Sequence, residues 1–173
     1  MIKKYYEDVN VLHVGTMPNR AYYIPYASQQ EALTSESRLE SSCYQLLNGS
    51  WKFKYFESVY DFDEALALNT DIPSDFDEIT VPSVWQIHGY DSHQYINMRY
   101  PFPFDPPYVP QNNPCGVYKR EFVIEEKNSQ KLKLLNFEGV DSCFYVYING
   151  RFVGYSQVSH STSEFNLSSY LKE

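Results

Sequence analysis

At 173 residues, 43% hydrophobic and 17% aromatic, the chain is long enough to bury a sizeable core as one globular domain. A formal charge of −8 with no basic cluster argues against nucleic acid and anionic membranes as partners, since both recruit concentrated Lys and Arg. The opening MIKKYYEDVN lacks the apolar stretch of a signal peptide and no run is long enough to span a bilayer, so a cytoplasmic protein is expected.

Residues 1–45 read as an irregular arm laid over a core, with polar stretches such as Ser35-Glu36-Ser37 and an isolated Ile24-Pro25-Tyr26. Residues 46–173 form the domain proper. At Leu47-Asn48-Gly49-Ser50 a turn signal precedes Trp51 to Glu57, where Trp51, Phe53 and Tyr55 alternate with Lys52 and Lys54 in the period of a strand. Acidic residues and then apolar ones at helical spacing predict one or two helical turns over Asp61 to Leu68.

The segment from Val81 to Phe122 is crowded with Pro, Tyr, Phe and Asn and has no regular period until Gly116, which predicts a long loop. Loops of that length are functional or disordered, and disordered segments are poor in aromatics. A rigid aromatic recognition surface is the expectation.

Beyond it, Tyr118 and Phe122 alternate with Lys119 and Glu121, and Leu132 and Leu134 with Lys131 and Lys133, predicting two half-buried strands. Cys143 to Ile148 and Arg151 to Ser156 flank Asn149-Gly150, the preferred pair for a type I′ turn, and so predict a hairpin. Short strands, frequent turns and little helix indicate an all-β antiparallel sandwich.

Familiar catalytic patterns are missing. His13, His88, His93 and His160 form no HExxH pattern, and the chain has no GxSxG, P-loop or GxGxxG. No carboxylate pair stands out as a glycosidase couple. Cys43, Cys115 and Cys143 are odd in number and widely spaced, which suits reduced thiols. What the loop offers is amide and aromatic chemistry: Asn97 lies where Tyr95, Tyr100 and Trp85 can supply walls, and an amide both donates to and accepts from sugar hydroxyls. Asn97 either contacts a ligand or caps its own loop backbone.

The loop resembles the signature of the amino-terminal, sugar-binding domain of family 2 glycoside hydrolases of the bacterial β-galactosidase type. The resemblance is carried by Val81-Pro82-Ser83, Trp85-Gln86, His88-Gly89-Tyr90-Asp91, Tyr95, Asn97, Tyr100-Pro101, Pro106-Pro107, Val109-Pro110, Asn113-Pro114 and Gly116-Val117-Tyr118. Leu47 to Phe53, Phe137 to Ser142, Asn149 to Gln157 and Ser163 to Ser168 are similar to further strands of that domain.

The resemblance implies a jelly-roll sandwich of the galactose-binding type, normally continued by further strands, so self-association through an uncovered sheet edge is expected of residues 1–173 alone. It also implies retaining hydrolysis of terminal β-galactosides by glutamates in a separate barrel, leaving this chain inactive by itself and without a cofactor of its own. Asn97 matches the asparagine that touches galactose, with Trp85, His88, Tyr95 and Tyr100 supporting the loop. Gln157 matches a glutamine near a peripheral Mg2+ site, and the parent enzyme would also use Na+. A homo-oligomer is implied, with the arm in subunit contacts. Two alternatives are a free-standing carbohydrate-binding module and a purely structural or oligomerisation domain.

Departures from the pattern fall at His93 for proline, Ile96 and Cys115 for threonine, Tyr6-Glu7-Asp8 for Trp-Glu-Asn, and Val14-Gly15-Thr16 for Ile-Asn-Arg.

Overall fold

The computed structural model describes residues 2–98, 100–125 and 130–172. Its strands are β1 (His13–Val14), β2 (Gly49–Phe56), β3 (Asp77–Val81), β4 (Cys115–Lys119), β5 (Leu134–Phe137), β6 (Cys143–Ile148), β7 (Arg151–Gln157) and β8 (Ser163–Asn166). Two short helices, α1 (Gln29–Thr34) and α2 (Ala65–Leu68), accompany them. The strands pair antiparallel in the orders β1-β7-β6, β3-β2-β4 and β5-β8, the all-β sandwich that the alternating pattern predicts.

The hairpin at Asn149-Gly150 forms as expected. Both residues take positive φ, 51° and 74°, and Ile148 pairs with Arg151 directly beyond the turn. One side of this sheet feeds the main core, where Val146 and Val153 pack with Phe165 and Leu167 and are joined by Phe144 and Ile148. Leu135 and Phe137 complete the cluster from β5, with the Phe137 ring 4.7 Å from that of Phe144.

That last contact corrects the phase expected for β5. Leu132 and Leu134, the pair the alternation points inward, are 62% and 37% exposed. Leu135 stands opposite Phe165, which is fully buried, and cross-strand partners share a face, so the odd-numbered residues face the core.

The arm covers the other side of β7. Tyr5 lies 5.3 Å from the Tyr155 ring and 6.1 Å from that of Tyr145, whose hydroxyl donates to the Lys3 carbonyl at 2.6 Å. A sheet packed on both faces buries consecutive residues, which is why Val153, Gly154, Tyr155 and Ser156 are all buried. Burial pushes the Tyr145 and Tyr155 phenols well above their ordinary pKa.

Further along the arm, β1 pairs with β7, Thr16 bridges to Phe165, and Arg20 forks onto the Glu164 carboxylate at 3.1 and 2.5 Å. The arm contains one element that composition hides. In α1 the Ser28 hydroxyl accepts from Glu31 N at 3.1 Å, and the Glu31 carboxylate accepts from Ala27 N at 2.6 Å and Ser42 N at 2.7 Å. These bonds, led by that from Ser42, hold the Glu31 carboxyl below its usual pKa.

The fit of arm to sheet leaves no room at Gly154. A Cβ there would meet the Val14 carbonyl oxygen and stand 2.6 Å from Phe165 Cε1. Gly154→Ala is therefore expected to lower stability by about 1–3 kcal/mol through overpacking. Urea unfolding checks this, and a neutral substitution would show that β1 is not seated against β7.

Candidate functional site

Residues 82–114 connect β3 to β4 and contain the candidate site. The base of this loop is fastened to the sheet by aromatic packing. Trp85–His88 forms a 3-10 turn closed by Gly89 at φ 91°, a left-handed position that glycine adopts without strain. The Trp85 ring rests 6.3 Å from Phe53 and 5.7 Å from Tyr55, and Tyr90 lies 5.0 Å from Phe53. Phe53 is fully buried beneath them. Gly116 on β4 makes the close approach possible, since a Cβ there would stand 2.6 Å from Phe53 Cε2 and 2.9 Å from Trp85 Cζ3.

Polar bonds fix the same base. The Tyr90 hydroxyl donates to Asp77 Oδ2 at 2.6 Å, and this bond, followed by burial, raises the phenol's pKa. Ser83 donates its single hydroxyl proton to the Thr80 carbonyl, so the 2.9 Å contact with His88 Nε2 requires the imidazole to donate. His88 thus carries its proton on Nε2 and serves the loop's geometry.

The tip of the loop has the opposite character. Tyr95, Ile96, Met98, Tyr100 and Phe104 are 73%, 60%, 89%, 68% and 96% exposed. Asn97 sits among them in a turn, its Nδ2 donating to the Tyr95 hydroxyl at 3.0 Å. That bond uses one of the amide's two N–H groups and leaves Oδ1 and the other N–H available to a ligand. Among the described residues the Asn97 side chain makes no hydrogen bond to the loop backbone, the alternative left open by sequence. Tyr95 is its direct partner, Trp85 and His88 lie in the base, and Tyr100 stacks edgewise on Phe102 at 6.0 Å.

Gln157 lies elsewhere. Its Nε2 donates to the Val11 carbonyl at 2.8 Å and its backbone N–H to the Leu12 carbonyl at 3.1 Å, which ties it to the arm. Among the described residues no three or more His, Cys, Asp or Glu gather into a set that could hold a metal ion. Among the described residues the Gln157 amide thus stands without the set of carboxylates that Mg2+ favours.

Open concavities lie elsewhere on the described surface. One of about 270 Å³ is lined in part by Trp51, Lys52, Lys119 and Arg120, and one of about 690 Å³ by residues 57–61 and 111–112. Neither takes in residues 95–100, where exposed side chains present Asn97 at the surface of the described residues.

Comparison with known proteins agrees with the loop's pattern. The profile described as "Glycosyl hydrolases family 2, sugar binding domain" matches residues 44–173. The chain is 49% identical over 172 residues to a β-galactosidase of Actinobacillus pleuropneumoniae and 47% identical over 171 residues to one of Staphylococcus xylosus, each match taking in 99% of the chain. It spans 16% and 17% of the length of those two relatives. Among solved structures, a β-glucuronidase of an uncultured Clostridium sp. superposes with a TM-score of 0.55 at 19% identity, covering 75% of this chain and 20% of that one. The Bifidobacterium dentium β-glucuronidase, solved with coumarin-3-O-glucuronide, gives 0.52 at 20% identity, covering 73% and 17%. At such identities the structural likeness speaks for the fold alone.

Proposed function

The chain belongs to the sugar-binding-domain family of the family 2 glycosyl hydrolases, and from that premise we propose that it serves a β-galactosidase as a non-catalytic domain presenting Asn97 to the galactoside. The observation that carries the reading is the partly uncommitted amide of Asn97 on an exposed tip whose base is clamped to Phe53. In this role Tyr95 orients the amide, so that Oδ1 accepts from one sugar hydroxyl while the second N–H donates to another. The bond-breaking carboxylates, acting with retention of configuration, belong to the enzyme outside residues 1–173.

A homo-oligomeric enzyme fits the same reading. The arm carries Leu12, Tyr23 and Leu33 at 49%, 61% and 74% exposure, apolar area that a neighbouring subunit would cover. We place the enzyme in the cytoplasm because Cys43, Cys115 and Cys143 are free thiols. No helix among the described residues is long and apolar enough to cross a membrane.

The substrate assignment is tested by the hydrolysis of nitrophenyl β-galactoside and nitrophenyl β-glucuronide by the full-length polypeptide. The galactoside is expected to be favoured in kcat/KM by about 100-fold or more, the scale on which sites built for one substituent reject another. Preference for the glucuronide would overturn the assignment.

A further inference from the structure

We propose that the cleft between residues 57–61 and 111–112 is a second saccharide site, distinct from Asn97, that takes neutral oligosaccharides. The site goes beyond the galactoside reading and stands on its own residues. Its volume, about 690 Å³, lies within the range of small-molecule sites, about 300–1,000 Å³.

The walls are fixed to each other. Beyond the last β2–β4 pair, Phe56 with Cys115, the chain turns at Glu57, and Val59 N donates to the Asn113 carbonyl at 2.7 Å while the Ser58 hydroxyl donates to the Gln111 carbonyl at 2.5 Å. A ligand would therefore meet a preorganised floor.

The chemistry of the walls selects the ligand. Among the described residues, the side chains of Glu57, Asp61, Gln111 and Asn112 make no hydrogen bond, although all four line the cleft. Two carboxylates and two primary amides amount to a dense set of acceptors with four amide N–H donors, which suits vicinal hydroxyl groups. Tyr60, 49% exposed, adds an aromatic ring that carries the Lys4 ammonium 4.6 Å from its centroid. Its oxygen accepts from Lys4 Nζ at 3.0 Å, leaving its own proton free to donate.

Charge narrows the class further. The ammonium of Lys4 is paired with Glu7 at 3.1 Å, so the cleft presents net negative charge and disfavours phosphates and uronic acids. A bound divalent cation is also disfavoured, because no group of three or more ligating side chains forms among the described residues.

Affinity electrophoresis of the full-length polypeptide in native gels containing soluble β-galactan or a neutral β-glucan tests the proposal without reference to activity. At least one of these glycans should retard the protein, with a millimolar dissociation constant. Free cellobiose, a neutral disaccharide that is not a β-galactoside, should restore the mobility, and glucuronate should not. Tyr60→Ala should abolish the retardation, as should the doubly substituted Gln111→Ala, Asn112→Ala protein, whose changes fall at exposed positions and are compatible with folding. Asn97→Ala should leave it intact, which separates this site from the galactoside site. No retardation by either glycan, retardation that survives both cleft variants, or equal competition by glucuronate would each overturn the proposal.

Discussion

Replacing Phe53 by alanine is expected to destabilise the domain by about 3–5 kcal/mol, the usual cost of emptying a fully buried aromatic site. Phe53 is completely buried, and three rings meet it: Trp85 at 6.3 Å, Tyr90 at 5.0 Å and Tyr118 at 4.7 Å, with Tyr55 packed in turn on Trp85 and Tyr90. The surroundings cannot collapse freely into the void, because Gly116 has no side chain to offer and β2 is held on both edges by β3 and β4. The loss should appear as a fall in the urea midpoint with an unchanged slope.

A second consequence separates Phe53 from an ordinary core residue. Trp85 and Tyr90 are the feet of the loop that presents Asn97, so Phe53→Ala should also shift tryptophan emission to the red and weaken catalysis by the full-length enzyme. Phe53→Leu, which refills most of the volume, should recover most of both. A Phe53→Ala protein within about 1 kcal/mol of the parent would show that the loop is not anchored there.

This anchoring also explains which features were legible in sequence. The strand β2 is legible because Trp51, Phe53 and Tyr55 alternate with lysines, and the hairpin because Asn149-Gly150 both take positive φ. By contrast, β3 is an edge strand whose sequence Asp77-Glu78-Ile79-Thr80-Val81 has charges at its start and a single buried residue, Ile79. A strand with one buried position leaves little period to read.

The end of β4 departs from the alternation for a related reason. Alternation carries the strand to Phe122, but it stops at Lys119, and the Arg120 guanidinium donates to the carbonyls of Asn48 and Ser50 at 3.0 and 3.3 Å. A side chain thus occupies acceptors at the point where the ladder would have continued. The helix α1 did have a local signal, Ser28-x-x-Glu31, a capping pattern masked by the polar sequence around it.

For the candidate site, the pattern of residues puts Asn97 in the long loop, and the structure adds the division between a packed base and an exposed tip. That division could not be read from sequence, because Trp85 and Tyr100 are equally aromatic there. The Trp85 ring is half-buried against Phe53 while Tyr100 is 68% exposed. Which aromatic packs and which stays exposed depends on the register of β2 against β4.

The central claim is that Asn97 meets the substrate, and its substitution is the most direct test. A neutral hydrogen bond contributes about 0.5–1.5 kcal/mol, and bonds to sugar hydroxyls in retaining glycosidases strengthen in the transition state. Asn97→Ala in the full-length enzyme should therefore reduce kcat/KM for a β-galactoside by about 10-fold or more. Removing only the orienting hydroxyl, with Tyr95→Phe, should give a smaller loss in the same direction, about 2–5-fold. Unfolding curves of both variants should overlay that of the parent, since both side chains are exposed. Should Asn97→Ala instead retain kcat/KM within about twofold, the domain would be a structural support and the account of Asn97 would be wrong.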